Sequence, residues 1–368
     1  MLVNKEWYYT LWEDPQEPDA IKIIDQRDLP HAFTIRTLSS VKDCFVAIQE
    51  MWVRGAPLIG VTAAYGAWFA AKEAQVGIDP PAMFTKMLDY LKQSRPTAVN
   101  LFYALNRVAR AVEKDFSEMA TIALDEARAI RREEIEMSKA IGKHGVKLLR
   151  DLADKKQTKG PLNILTHCNA GWLACIDYGT ATAPIYEAFQ QGLDVHVWVD
   201  ETRPRNQGAS LTAWELGQMG VPHTLIADNT GGLLMQRGMV DAVLVGSDRT
   251  TANGDVANKI GTYLKALAAK DNQVPFYVAL PTSSIDMHMH DGVTNMPIEE
   301  RTADEVCYMS GVNDQGSVER IRIAPENTPA ANYAFDVTPA SLVTSIITEE
   351  GVCKANTRAI EALMSKKG

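Results

Sequence analysis

Apolar residues recur at helical spacing through roughly the first 150 positions; beyond about residue 160 they gather into runs of four or five, the length of buried strands. The start of the chain departs from this division. Leu2 to about Pro30 reads as short strands around a Trp- and Tyr-rich opening, with a turn at Asp14-Pro15. Val41, Phe45, Ile48 and Met51 then share one helix face, and the Ala-rich Leu58 to Glu73 predicts a buried helix with Pro57 in its first turn. Two further helices are predicted over Pro80 to Gln93 and Ala98 to Val112. Ser94-Arg95-Pro96-Thr97 separates them, because Pro96 disfavours a helical Arg95. Met119 to Leu152 carries a long amphipathic helical pattern, whose Arg131, Arg132, Glu133 and Glu134 read as a solvated face.

The stretch DKKQTKG, Asp154 to Gly160, lacks apolar anchors and reads as a linker. Strand-like runs follow at Asn163 to Thr166, Val195 to Val199, His223 to Ile226, Ala242 to Val245 and Phe276 to Leu280. Helix-compatible segments such as Thr180 to Gln191, Ser210 to Met219 and Asn258 to Ala269 separate most of them. Strands alternating with helices predict a parallel sheet covered on both faces. The fold class is therefore α/β: a mostly helical N-terminal domain with short strands over 1–150, then a C-terminal doubly wound, mainly parallel, Rossmann-like domain over 160–368. In such sheets ligands bind beyond the carboxyl ends of the strands. Four polar clusters fall there, Thr166 to Gly171, Asp200 to Pro204, Asp228 to Gly232 and Gly246 to Arg249, and they are expected to converge on one cleft.

Composition narrows the partners. With 368 residues, 46% hydrophobic and 23% charged, the chain has ample material for cores. Lys plus Arg is 37 and Asp plus Glu 46, a net charge of −9 that gives no overall attraction to nucleic acid or an anionic membrane. No basic segment followed by an apolar one predicts a secretory signal, and the apolar stretch Pro57 to Ala71 is too short to span a bilayer. Five cysteines without a CxxC pair predict neither a disulfide framework nor a zinc ribbon; they point to a reducing, cytoplasmic setting.

Several residues carry candidate chemistry. Cys168 sits at a strand end before a Gly and an expected helix N-terminus, a setting that favours the thiolate; the alternative is a buried cysteine acting as a small hydrophobe. Asp248 follows a buried strand, where it is a helix cap, a partner of Arg249 or a general acid whose pKa is raised by desolvation. Arg54-Gly55-Ala56, Arg95 and Asn258-Lys259 are the anion-binding candidates, Arg54 because it precedes a predicted helix N-terminus. GxxxxGK[ST] and GxGxxG are both absent, so a sugar phosphate fits better than a nucleotide. His288-Met289-His290 has no further ligand cluster near it in a chain with seven histidines, and is read as structural, not as a metal site.

Six stretches resemble the 5-methylthioribose-1-phosphate isomerase family, whose superfamily includes the regulatory subunits of a translation-factor guanine-exchange factor. They are Arg54 to Val61, Arg95 to Leu101, Thr166 to Gly171, Glu201 to Ala209, Gly246 to Gly261 and Ile298 to Arg301. The resemblance implies a two-domain fold and a homodimer. It also implies conversion of 5-methylthioribose 1-phosphate to 5-methylthioribulose 1-phosphate in methionine salvage, without metal or organic cofactor. Carried over by position, Cys168 and Asp248 match the catalytic pair, and Arg54, Gly55, Ala56, Arg95, Gln207, Asn258 and Lys259 the substrate contacts. Asp248 would protonate the ring oxygen and Cys168 would move the C2 proton to C1, with a direct hydride shift as the competing route. Trp172, the sequence Cys175 to Gly179 and the stretch MHMHDGVTNM depart from the family wording. They leave the 5-substituent open, so 5-deoxyribose 1-phosphate and ribose 1,5-bisphosphate are alternative substrates. A non-catalytic regulatory subunit is the alternative of a different class.

Overall fold

The computed structural model describes residues 1–96 and 98–365; Thr97, in the break expected between two helices, lies outside the described residues. Met1–Ser138 with Trp172–Gly179 form one compact unit, and Lys139–Gly171 with Thr180–Gly368 form the other.

The first unit opens with the strands β1 (Leu2–Val3), β2 (Glu6–Trp7), β3 (Leu11–Asp14), β4 (Glu17–Ile24) and β5 (Ile35–Leu38), of which β3, β4 and β5 make an antiparallel sheet. Helices α1 (Val41–Gln49), α2 (Ala56–Gln75), α3 (Pro80–Lys92) and α4 (Val99–Val112) follow. Ser40 caps α1, its hydroxyl accepting the Asp43 N–H at 3.1 Å. Helix α2 is apolar on all sides and buried along nearly its whole length, with α1, α3 and α4 packed against it. Leu58, Ile59, Tyr65 and Phe69 of α2, Leu91 of α3 and Leu101, Leu105 and Val108 of α4 form this core, each large side chain contributing about 1.5–3 kcal/mol by leaving water.

Helix α5 (Met119–Lys155) is the long charged helix, and its face is less solvated than its composition suggests. Glu134 is buried, and Arg131 is half-buried, donating to the Leu11 carbonyl at 3.2 Å and lying 4.7 Å over the Tyr9 ring. The helix also runs into the stretch read as a linker, taking in Asp154 and Lys155. Trp172–Gly179 completes the first unit. Trp172 is fully buried, the Thr10 hydroxyl donates to its carbonyl at 2.8 Å, and the Gln26 amide donates to the Leu173 carbonyl at 2.7 Å. The departures from family wording at Trp172, Cys175 and Ile176 are thus buried packing residues of this unit.

The second unit is built on β6 (Leu162–Thr166), α6 (Thr182–Gln190), β7 (Val195–Asp200), α7 (Ala213–Gln218), β8 (His223–Ile226), α8 (Thr230–Gln236), β9 (Ala242–Val245), β10 (Arg249–Thr251), β11 (Val256–Lys259), α9 (Thr262–Asp271) and β12 (Phe276–Ala279). It continues through β13 (Ile285–Asp286), α10 (Gly292–Asn295), α11 (Asp304–Cys307), β14 (Tyr308–Val312), β15 (Val318–Arg322), β16 (Phe335–Thr338), β17 (Ser345–Thr348), β18 (Gly351–Cys353) and α12 (Thr357–Met364). The main sheet has the order β18-β17-β12-β9-β6-β7-β8, parallel throughout except for the antiparallel edge strand β18. From β6 the chain winds outward through β7 and β8, then returns to the other side for β9, β12 and β17. That is the doubly wound order, and its reversal lies between β6 and β9.

A smaller sheet, β13-β10-β11-β16, and the hairpin β14–β15 were not foreseen. Asn258 and Lys259 therefore lie on β11 and not on the predicted helix, which begins only at Thr262. Among the described residues no helix is long and apolar enough to cross a membrane.

Candidate active site

Because β9, β6, β7 and β8 are parallel neighbours, the four polar clusters that follow them lie at one end of the sheet. The Cys168 and Asp248 loops leave β6 and β9, the two strands that flank the reversal of strand order, where an open α/β sheet leaves a crevice. These two loops touch. A Cβ on Gly246 would stand 2.6 Å from the Ala170 Cβ, so only a glycine permits the approach. Ala170 is held in turn by its carbonyl, which accepts the N–H groups of Thr180 and Ala181 at 2.9 and 3.0 Å.

Cys168 is buried and its backbone is left-handed, φ +66°. A non-glycine residue keeps that conformation only when its surroundings impose it. Two threonines do so. Cys168 N–H donates to Thr202 Oγ1 at 2.8 Å, and Thr212 Oγ1 donates to the Cys168 carbonyl at 2.7 Å. Thr202 is itself left-handed, φ +68°, which is unusual for a β-branched residue; its N–H donates to Asp228 Oδ1 at 2.8 Å and its hydroxyl to the Asp200 carbonyl at 3.0 Å. Thr212 closes the π-helical turn Gly208–Thr212 that precedes α7 and also accepts from the Asn169 amide at 3.1 Å. The helix N-terminus expected after Cys168 is not there: a short 3₁₀ turn, Trp172–Ala174, follows in the first unit, and α6 starts only at Thr182.

Asp248 is exposed, in contrast to the burial expected of a strand-end carboxyl. Its N–H donates to the Ala257 carbonyl at 3.0 Å, which sets it beside Asn258 and Lys259 on β11. Both of those residues are buried. The Asn258 amide donates to Thr262 Oγ1 at 3.1 Å; the Lys259 ammonium donates to the Ala334 carbonyl at 2.9 Å and lies 4.7 Å over the Phe335 ring. Gln207, buried, precedes the π turn that carries Thr212. The second unit thus gathers Cys168, Asp248, Gln207, Asn258 and Lys259 on loops and strands around one end of its sheet. Arg54, Gly55, Ala56 and Arg95 belong to the first unit. Gly55 and Ala56 start α2 behind Arg54, and Arg95 lies between α3 and α4, with Arg54 and Arg95 half-buried.

A buried charged network that sequence reading missed lies beneath these loops. His167 Nδ1 is 3.1 Å from Asp200 Oδ2 and 3.8 Å from Asp228 Oδ1, and its Nε2 is 2.8 Å from the Ile260 carbonyl. Lys265 of α9 puts its ammonium 3.1 Å from the same Asp200 oxygen. Nearby, Asp336 accepts the N–H groups of Gly261 and Tyr263 at 2.7 and 3.1 Å; burial pushes its carboxyl up, against those bonds and the charges of His167 and Lys265. Among the described residues, His167, Asp200 and Asp228 bring ligand-type atoms within 4.8 Å of one another. Both His167 nitrogens and the shared Asp200 oxygen already have protein partners, one of them a cation, so the group does not fit a metal site. His288 and His290, the residues read as structural, are both exposed.

The Ile298 to Arg301 motif braces the loop after β7. Arg301 pairs with Glu299 and Glu305 at 2.9 and 2.7 Å, and Glu305 also receives Arg205 at 2.8 Å. Burial works to raise the Glu305 carboxyl, but the hydrogen bonds and charges of Arg301 and Arg205 outweigh it and hold it at about 2. Thr212 and Lys265 offered no motif, because an isolated Thr or Lys in a helix or turn reads as ordinary surface; Thr202, inside the Asp200 to Pro204 cluster, and His167, one residue before Cys168, were visible but unassigned.

Residues 52–355 match the model of the initiation factor 2 subunit family. The methylthioribose-1-phosphate isomerase of Sinorhizobium medicae is 55% identical over 371 residues, covering 100% of both chains. The crystal structure of 5-methylthioribose 1-phosphate isomerase from Pyrococcus horikoshii superposes with a TM-score of 0.85 at 38% identity, over 98% of this chain and 97% of the other. That of the translation initiation factor eIF-2B, subunit delta, from A. fulgidus gives 0.82 at 36% identity, over 98% and 100%.

Proposed function

We propose that this chain, which belongs to the initiation factor 2 subunit family and within it to the methylthioribose-1-phosphate isomerases, turns the aldose 5-methylthioribose 1-phosphate into the ketose 5-methylthioribulose 1-phosphate with Cys168 as base and Asp248 as acid. The observation that carries the assignment of roles is the meeting of the Cys168 and Asp248 loops across the strand reversal, through Ala170 and Gly246. Phosphate on C1 blocks the ring opening available to a free sugar. The Cys168 thiolate takes the C2 proton, the C2 electrons form a C1=C2 double bond, and the C1–O bond of the ring breaks as Asp248 protonates the departing ring oxygen. The Asp248 carboxylate then takes the proton of the C2 hydroxyl as the C2 carbonyl forms, and Cys168 returns its proton to C1. Each residue ends as it began. Asp248 is exposed, so bound substrate is what would cover it; a site closed to water also suppresses loss of phosphate from the intermediate. Arg54, Gly55, Ala56, Arg95, Gln207, Asn258 and Lys259 are the proposed substrate contacts, the cations for the phosphate.

The test is an NMR assay in heavy water with 5-methylthioribose 1-phosphate, 5-deoxyribose 1-phosphate and ribose 1,5-bisphosphate. Ketose from the first, carrying solvent deuterium at C1, is the expected result. Ketose from another of the three would reassign the substrate, and ketose without deuterium would favour the hydride shift. No ketose from any would return the chain to the non-catalytic reading that its likeness to the eIF-2B subunit allows.

We further propose a homodimer in a reducing cytoplasm. All five cysteines are free thiols, and α8 and its neighbour α9 expose Leu233, Leu264 and Leu267 together. Light scattering is expected to give twice the chain mass, and Leu264→Glu to reduce it to the chain mass.

A further inference from the structure

We propose that His167, held as an imidazolium between Asp200 and the Ile260 carbonyl, is a positioning residue that couples the Cys168 loop to the substrate-binding segment Asn258–Gly261. The inference deepens the proposed function and rests on it for the roles of Cys168 and Asn258. Its basis is a count of donors and acceptors. Nδ1 faces the Asp200 carboxylate at 3.1 Å and Nε2 faces a backbone carbonyl at 2.8 Å. Neither partner has a hydrogen to give: the Asp200 oxygen that faces Nδ1 is the one paired with the Lys265 ammonium at 3.1 Å, and a carbonyl only accepts. A neutral imidazole carries one N–H and would set a lone pair against one of these oxygens, at a site where His167 is 1% exposed. Both nitrogens therefore carry hydrogen.

The charged groups around the ring accommodate that cation. Asp200 approaches from the end of β7, Asp228 from the turn after β8 and Asp336 from β16, while Lys265 of α9 supplies the second positive charge. The geometry also explains why a histidine stands there. His167 is covalently joined to Cys168 and bonded to Ile260, which follows Asn258 and Lys259, so one ring fixes the distance between the loop of the base and a segment that binds substrate. It touches no reacting atom in this scheme. Its contribution is to hold two parts of the site in register.

Two side chains divide the roles of the ring. Asparagine reaches as far as Nδ1 and keeps an amide donor toward Asp200, but cannot reach Ile260. Glutamine reaches as far as Nε2 and keeps the Ile260 bond. His167→Asn is expected to raise KM about tenfold with kcat changed less than about threefold, and His167→Gln to return KM to within about threefold of the parent. Equal KM values in the two variants, or a parental KM in His167→Asn, would overturn the coupling. Asn258→Ala separates the two levels of the argument. A parental KM there would overturn the substrate contact and the kinetic half of the inference with it, whereas a raised KM beside a parental His167→Asn would overturn the coupling alone. Should the variants fail to fold, the unaltered protein still decides. With nitrogen-15 histidine near neutral pH, long-range proton–nitrogen correlation is expected to show both His167 nitrogens protonated; one unprotonated nitrogen would overturn the proposal.

Discussion

Cys168→Ser is expected to lower kcat by about 10³-fold while leaving KM within about threefold and the fold intact, read by steady-state kinetics beside a thermal melt. Serine is close in size, and the backbone bonds that hold position 168, from its N–H to Thr202 and to its carbonyl from Thr212, do not involve the side chain. What changes is the chemistry, because a hydroxyl is a far weaker proton acceptor than a thiolate. Asp248→Asn should behave alike, since an amide has no proton of suitable acidity for the ring oxygen. A near-parental kcat in Cys168→Ser would remove it as the base, and the same result in Asp248→Asn would leave Asp248 a structural residue at the head of β10.

Gly208→Ala is the change with the largest expected effect on the fold. A Cβ at this position would lie 1.7 Å from the Asp200 carbonyl oxygen and 2.9 Å from Thr202 Oγ1. The first obstacle is backbone at the end of a buried strand, which no rotamer change relieves. The same carbonyl accepts the Thr202 hydroxyl that in turn receives the Cys168 N–H. We expect a loss of about 3 kcal/mol or more, seen as a Tm lower by roughly 5 °C or more, together with a fall in kcat. A parental Tm would show that the π turn relaxes without disturbing β7.

The parallel sheet was legible because a strand buried on both faces is written as an uninterrupted apolar run, as in Ala242 to Val245, and such runs are too short to be helices. The clustering of the candidate residues followed from chain direction alone: parallel strands place their carboxyl-end loops together whatever the loops contain. The smaller sheet was harder to see. Its strands are two to four residues long, and β11, Val256 to Lys259, precedes α9 so closely that the two merge into one helix-compatible stretch. The Asn253-Gly254 pair between β10 and β11 carried the information, being a strong hairpin signal. The clamp on Cys168 was illegible for a different reason. Left-handed backbone at Cys168 and Thr202 is imposed by partners far away in sequence, and nothing in the local propensity of either residue favours it. Glu134, which a charged run hid, belongs with these: its burial comes from tertiary packing and not from its own helix.

The return of Trp172–Gly179 to the first unit has a consequence for the order in which the chain can mature. When the ribosome has delivered the last residue of α5, the first unit still lacks a fully buried Trp and the backbone carbonyls that Thr10 and Gln26 engage. Synthesis must extend past β6 and the Cys168 loop before that unit has its full set of contacts, a wait of a few seconds at about 5–20 residues per second. The segment that completes it begins four residues after Cys168. The chain therefore cannot finish its first folded body without having already made the stretch that holds the proposed base of the second.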